Sequence, residues 1–131
     1  MPSFMLDTDT VSFALRGHGR VGERILERRP SDLSISSITL AELRYGADLK
    51  RSRRLHELIG AFVRSVAVLP FDAAVAESFG ALAATLRGHG AAIGGFDTLI
   101  AAHALAASVT LVTGNTKHFG RVPGLTIVSW V

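Results

Sequence analysis

Phe4-Met5-Leu6-Asp7 is a short apolar run closed by an acid, and it sets the pattern for the whole chain. Such a run, bounded by polar residues, reads as a buried strand. Four more runs follow: Leu33-Ser34-Ile35-Ser36, Val66-Ala67-Val68-Leu69, Val109-Thr110-Leu111-Val112-Thr113 and Leu125-Thr126-Ile127-Val128. Ser31-Asp32 supplies a turn into the second, Pro70 closes the third, and Pro123-Gly124 leads into the fifth.

Helical stretches fill the intervals. The pattern predicts helices over Thr10 to Arg16, Val21 to Arg29, Thr39 to Leu49, Ser52 to Arg64, Ala73 to Arg87 and Phe96 to Ala107. Val75, Phe79, Leu82 and Leu86 share one face of the fifth by helical spacing. The sixth is apolar almost throughout, so it is expected to be buried on most sides. Strands alternating with helices imply an α/β fold: a five-stranded, mainly parallel sheet flanked by helices on both faces. In such sheets ligands bind beyond the carboxyl ends of the strands.

That rule directs attention to four residues. Asp7 follows the first strand, Glu42 lies in the helix after the second, Asp97 opens the apolar helix, and Asn115 follows the fourth strand. Each also has a purely structural reading. Thr39-x-x-Glu42 is a capping-box pattern. Asp97 suits a helix N-terminus. Asn115 can cap a turn over Thr116 to Phe119, and Asp7 can start the helix after the first strand. Together they carry more weight. Two carboxylates about 4 Å apart repel by roughly 4 kcal/mol at an effective dielectric near 20, so a cluster calls for a cation. Magnesium takes oxygen ligands, including one or two carboxylates, and retains waters. The expected chemistry is metal-assisted hydrolysis of a phosphodiester without a covalent protein intermediate.

Composition permits this. The 131 residues suit one domain, 1–131, and carry a formal net charge of +3. Of the 14 basic residues only Lys50 and Lys117 are lysine. The arginines suit phosphate contacts, and a modest basic excess permits a nucleic-acid partner. With 0 Cys there is no thiolate site. No apolar run reaches the roughly 20 residues of a membrane span, and the first residues do not read as a signal peptide. A cytoplasmic location is expected.

At these residues the chain resembles the PIN-domain ribonucleases, specifically the VapC-type toxins of bacterial toxin–antitoxin pairs. Met5-Leu6-Asp7-Thr8 is similar to the family's opening strand and first acid. Ser37 through Gly46, with Glu42, resembles its second block. Ile93 through Ala104, with Asp97, resembles the third, and Leu111 through Phe119 the fourth. The tail from Val122 to Trp130 fits as well. The resemblance implies an RNA-cleaving enzyme using Mg2+, or Mn2+ in its place. It implies a homodimer silenced by a VapB-type antitoxin that occludes the acidic pocket.

Carried onto this chain, it implies metal ligation by Asp7 and Asp97, with Glu42 bound directly or through water, and a catalytic place for Asn115. Thr8, Asp9 and Thr113 are expected in support. Arg44, Lys117 and His118 are candidate RNA contacts. Two departures stand out. Asp9 replaces the Asn common in the family, and Asn115 brings no charge to the fourth acidic position. His103, on the buried helix, is read as a packed, hydrogen-bonded residue. Low aromatic content, at 7%, argues against a base-stacking platform.

Two rival functions remain. Asp7-Thr8-Asp9-Thr10-Val11 also fits the opening signature of haloacid-dehalogenase-type phosphatases, with Asp7 as nucleophile and Asp9 as acid/base. That reading lacks a later paired acid and leaves Glu42 without a role. The other is a non-catalytic PIN protein that binds RNA or an antitoxin.

Overall fold

The computed structural model describes residues 2–131; Met1, within the expected domain span, lies outside the described residues. Five strands form one sheet in the order β3-β2-β1-β4-β5: β1 (Phe4–Leu6), β2 (Leu33–Ser36), β3 (Ala67–Leu69), β4 (Thr110–Val112) and β5 (Ile127–Val128). Every strand pair is parallel. Helices α1 (Thr8–Leu15) and α2 (Val21–Leu26) connect β1 to β2, and α3 (Ser37–Leu49) and α4 (Arg53–Ser65) connect β2 to β3. Helices α5 (Ala73–Gly88) and α6 (Gly95–Ala107) carry the chain back to β4, and the short α7 (Thr116–Phe119) precedes β5.

Side-chain alternation along the strands builds two cores, one on each face. Leu6, Leu33, Ile35 and Val112 pack with Val11, Leu43, Ala47 and Ile59 from α1, α3 and α4. Met5 and Leu111 point the other way, onto Leu86, Ile100, Ala101, Ala104 and Phe119. The chain thus winds from β1 to β3 with helices on one face. It then reverses across β1 to β4 with helices on the other. The reversal lies between β1 and β4, where Met5 pairs with Leu111 and Leu6 with Val112. That crevice is the place where sheets of this type bind ligands.

Several boundaries differ from the sequence expectation, each for a local reason. α1 begins at Thr8 because Asp7 caps it, accepting the Thr10 N–H. α3 begins at Ser37 because Ser36 is its cap, accepting the Ile38 N–H. The Thr39–Glu42 capping box therefore does not form, and Glu42 stands in the second turn of α3. α2 stops at Leu26 rather than running to Arg29; Pro30 opens a 3-10 turn (Pro30–Asp32), and Arg29 before it is extended. Val66 is an extended cap of α4, so β3 starts one residue later than expected. β4 is likewise trimmed at both ends of Val109–Thr113, and β5 keeps only the last two residues of Leu125–Val128.

The C-terminal segment is fixed by an aromatic and cationic clamp. Trp130 is 2% exposed, its ring centroid lies 5.2 Å from that of Phe4, and the Arg28 guanidinium lies 5.0 Å from the Phe4 ring and 5.1 Å from the Trp130 ring. Trp130→Ala empties this site and is expected to destabilise the fold by about 3–5 kcal/mol. Arg28→Met, which removes only the cation–π contacts, is expected to cost about 0.5–2 kcal/mol. Urea unfolding with unchanged m values checks both.

Candidate active site

Asp7 leaves β1 directly into α1, and its backbone N–H donates to Val112 O of β4 at 3.0 Å. The residue is 4% exposed. Its Oδ1 accepts the Thr10 N–H at 2.8 Å, and the Thr10 hydroxyl donates to Val112 O at 3.1 Å. Burial raises the Asp7 pKa above the ordinary carboxylate value; hydrogen bonding from Thr10 and Thr113 draws it partly back, and nearby Asp9 adds a smaller upward push. Thr113 is fully buried, and its Oγ1 accepts the Asn115 N–H at 3.0 Å, which leaves its own proton for Asp7. One hydroxyl thereby ties the end of β1 to the loop carrying Asn115.

Glu42 reaches the same edge from α3. Its Oε1 accepts the Thr8 hydroxyl at 2.6 Å, and Thr8 Oγ1 lies 3.2 Å from Thr39 Oγ1. Its pKa is raised mainly by burial and further by the charges of Asp97, Asp9 and Asp7, while the Thr8 bond lowers it. Asp97, in the first turn of α6, is half-buried. Its pKa is also raised, first by burial, with His118 pulling it down and Asp9 pushing it up. His118 Nε2 lies 3.8 Å from Asp97 Oδ2.

Glu42 and Asp9 are thus each within electrostatic range of Asp7 and Asp97, and of each other. Asp9 borders two depressions at this edge. One, of about 110 Å³, includes Thr8, Glu42 and Ser12; the other, of about 360 Å³, includes Phe13, Gly114, Asn115 and Val131. A Cβ at Gly114 would fall 2.8 Å from Val131 Cγ2, so a larger residue there would displace the exposed Val131 side chain. Among the described residues no Lys or Arg forms an ion pair with any of these acids. Among the same residues, no three carboxylate or imidazole groups close tightly enough to enclose an ion. The arrangement is an open cluster of three partly desolvated acids, Asp7, Glu42 and Asp97, with the exposed Asp9 beside them.

Other candidates divide clearly. Asn115 makes no side-chain capping bond and stays exposed at the mouth. Lys117 is exposed on α7. Arg44 is a correction: it is not available to an RNA phosphate at this edge. Two residues beyond Glu42, it points to another side of α3, where its Nη1 donates to His56 O at 2.9 Å and lies 3.0 Å from His56 Nδ1. His56 Nε2 in turn sits 2.8 Å from Asp48 Oδ1, so this network joins α3 to α4. His103 packs as expected: 3% exposed, with Nδ1 2.7 Å from Ser36 Oγ and burial lowering its pKa. Phe13, Val131 and Thr39 escaped the sequence reading. Thr39 had a signal, its place in the Thr39-x-x-Glu42 pattern, but that pattern suggested a cap.

The class that this fold and site define is the PIN domain, whose family model matches residues 4–125. The tRNA(fMet)-specific endonuclease VapC of Shigella flexneri is 37% identical over 131 residues, covering 99% of this chain and 99% of the relative. Ribonuclease VapC2 of Rickettsia felis is 35% identical, with 97% of each chain covered. Among solved structures, DNA-bound VapBC from Salmonella typhimurium matches with a TM-score of 0.89 at 35% identity over 100% of both chains. The chain belongs to the PIN-domain family and, within it, to the VapC proteins.

A carboxylate whose folded pKa is raised favours the protonated form in the native state, so its ionisation costs stability as pH rises. Asp7→Asn retains an acceptor for the Thr10 N–H and removes that cost. In chelator at pH 7 the variant is expected to melt at a higher temperature than the wild type. The gap is expected to close as pH falls through the raised Asp7 pKa towards the ordinary value of 3.8. Calorimetry across that range checks the sign; His103, common to both proteins, cancels.

Proposed function

We propose that this protein is a metal-dependent endoribonuclease, the toxin half of a toxin–antitoxin pair. The observation that carries this reading is the group of Asp7, Glu42, Asp97 and Asp9 at the carboxyl edge of the sheet, with no Lys or Arg paired to it among the described residues. Fourteen basic residues are available in the chain. A cluster of three buried or half-buried acids and the exposed Asp9, with none of these cations paired to it among the described residues, is suited to a soluble cation.

The donor set fits Mg2+, with Mn2+ as a substitute. Both accept carboxylate and water oxygens, and an open ring suits an ion that keeps several waters. Asp7 and Asp97 would hold it, with Glu42 bound directly or through water. When bound, the ion supplies Lewis-acid neutralisation of charge at a phosphodiester.

The chain's own residues do the rest. Thr8 fixes the Glu42 carboxylate at 2.6 Å. Thr10 and Thr113 hold Asp7 against the β1–β4 edge. Glu42, whose pKa burial raises above the ordinary carboxylate value, would be placed to accept a proton from an attacking water. Asn115 offers an amide donor at the mouth, and Lys117 and His118 follow it on α7 towards a substrate phosphate. Raised pKa values in a concave acidic site support a functional rather than a structural role.

The relatives from Shigella flexneri and Salmonella typhimurium are named tRNA(fMet)-specific, which makes that RNA the first substrate to test. Matched solved structures from Rickettsia felis and Salmonella typhimurium are of VapBC assemblies, which supports a VapB-type antitoxin as partner. The exposed Phe96, with Gly95, Leu99 and Phe79 lining a shallow apolar depression beside it, supports a homodimer. No described helix is long and apolar enough to cross a membrane.

Purified, antitoxin-free protein with Mg2+ is expected to cut initiator tRNA. Asp97→Asn is expected to lower the rate at least about 100-fold, the loss of a few kcal/mol of transition-state stabilisation. Equal behaviour of wild type and Asp97→Asn rejects catalysis in favour of a binding-only role. In cells, expression alone is expected to arrest growth, and coexpression of the adjacent small antitoxin gene to relieve it; normal growth with abundant folded protein counts against the toxin assignment.

A further inference from the structure

Two helices leave the acidic edge together, and each carries an acid followed by a cation on the same side. On α1 the series is Asp9, Ser12 and Arg16, at i, i+3 and i+7. On α3 it is Glu42, Gly46 and Lys50, at i, i+4 and i+8. Such spacings place each series along one side of its helix, and α1 packs against α3. At about 1.5 Å per residue the cations lie about 10–12 Å along the helices from the acids.

The surface between the two groups is continuous. The depression of about 110 Å³ that holds Thr8, Asp9 and Glu42 is also lined by Leu15, Lys50 and Leu55. The last three line a second depression as well, of about 340 Å³, together with Arg16 and Arg54. No carboxylate lines this second depression, and among the described residues none of its three cations forms an ion pair. Gly46 keeps the passage open. It lines the first depression, and a Cβ there would meet no neighbouring element within 4 Å. Glycine weakens a helix interior relative to alanine, so α3 is weakened at the point where a side chain would enter the groove.

We propose that this groove carries the sugar–phosphate backbone of the RNA away from the acidic edge, with Arg16, Lys50 and Arg54 on its phosphates and Gly46 leaving room for the strand. The inference rests on the nuclease reading above and names the surface that holds its substrate. Cations on phosphates fix the register of a strand without reading its sequence, and a basic groove that tracks the backbone is a general way to hold a single strand. A span of 10–12 Å is about three nucleotides of a stacked strand, at about 3.4 Å each, and fewer of an extended one. Continuity with the acids favours RNA over a peptide as the occupant, because a strand cut at that edge must leave it along an adjoining surface.

The test reads RNA binding apart from cutting. Affinity for labelled initiator tRNA is measured by fluorescence anisotropy in Mg2+ over a range of salt, with every protein also carrying Asp97→Asn. Lys50→Gln/Arg54→Gln is expected to weaken binding at least about tenfold and to flatten the slope of log affinity against log salt by about 1.4, two phosphate contacts at about 0.7 each. Arg53→Gln/Arg87→Gln removes the same charge from exposed positions outside the groove and is expected to stay within about threefold of the parent. Gly46→Met is expected to melt no lower than the parent, since Met suits a helix better than Gly, and yet to weaken binding as the first double variant does. With Asp97 restored, Lys50→Gln/Arg54→Gln is expected to raise KM while kcat stays within about threefold, the mark of lost uniform binding. Equal affinity of the two double variants overturns the proposal, and so does parental affinity in a folded Gly46→Met. Unchanged tRNA binding by Lys50→Gln/Arg54→Gln, with loss of inhibition by the antitoxin, also overturns it and gives the groove to that protein. Groove-dependent binding by a wild type that cuts no RNA upholds the groove and rejects the nuclease reading alone. If Gly46→Met does not fold, the comparison of the two double variants decides.

Discussion

The rest of the molecule depends on one unfavourable interaction, the burial of the Asp7 carboxylate at the junction of β1 and β4. At 4% exposure it sits where a charge is costly, and its raised pKa records that cost. The neighbourhood partly compensates. The same carboxylate caps α1 through the Thr10 N–H, and Thr113, just after β4, steadies it. Asp7 thereby belongs to both the fold and the site, and the two roles reinforce each other. A helix that must start at Thr8 fixes the direction in which the remaining Asp7 oxygen can point.

Sheet order then gathers the other acids. β2 and β4 flank β1, so the connections leaving them open at the edge where Asp7 lies. Glu42 enters on α3 from the β2 side, and Asp97 on α6 from the opposite face. A sheet wound in one direction throughout would have sent α3 and α6 to the same face. The reversal brings their acids to either side of one crevice. Asn115 and His118 arrive from β4, on the remaining side.

Much of this was legible in the sequence, and what was not has identifiable causes. All five strands show as apolar runs, because strands of a parallel sheet are covered on both faces. Asp7 was legible by position, since it follows a strand that ends at the carboxyl edge, and Glu42 and Asp97 by their places near the starts of α3 and α6. Helix starts were harder to read. Ser36, Ser37 and Thr39 all suit a cap, and only the end of β2 selects Ser36. Arg44 was misread because phosphate-binding chemistry is visible in a residue type, whereas its side of the helix is not: a separation of two residues turns it away from Glu42 and towards His56. The Asp97–His118 approach spans residues 21 apart with no periodic signal between them, so only the packing of α7 beside α6 reveals it.

Keeping mutually repelling carboxylates together requires that the elements bearing them cannot drift apart. His103 accounts for part of that constraint. It lies on α6, the helix of Asp97, and meets Ser36 Oγ at 2.7 Å, while Ser36 caps α3, the helix of Glu42. One buried hydrogen bond therefore links the two acid-bearing helices directly, through a residue in the sheet itself. Phe71 closes the ring edge-on, with centroids 5.6 Å apart, and burial holds the imidazole towards its neutral form. A charged group at this place would add a cation beneath the acidic edge and compete for the charge the site leaves open. A neutral histidine fixes the separation of Asp97 and Glu42 without discharging either, which is the condition under which their repulsion remains available to a bound cation.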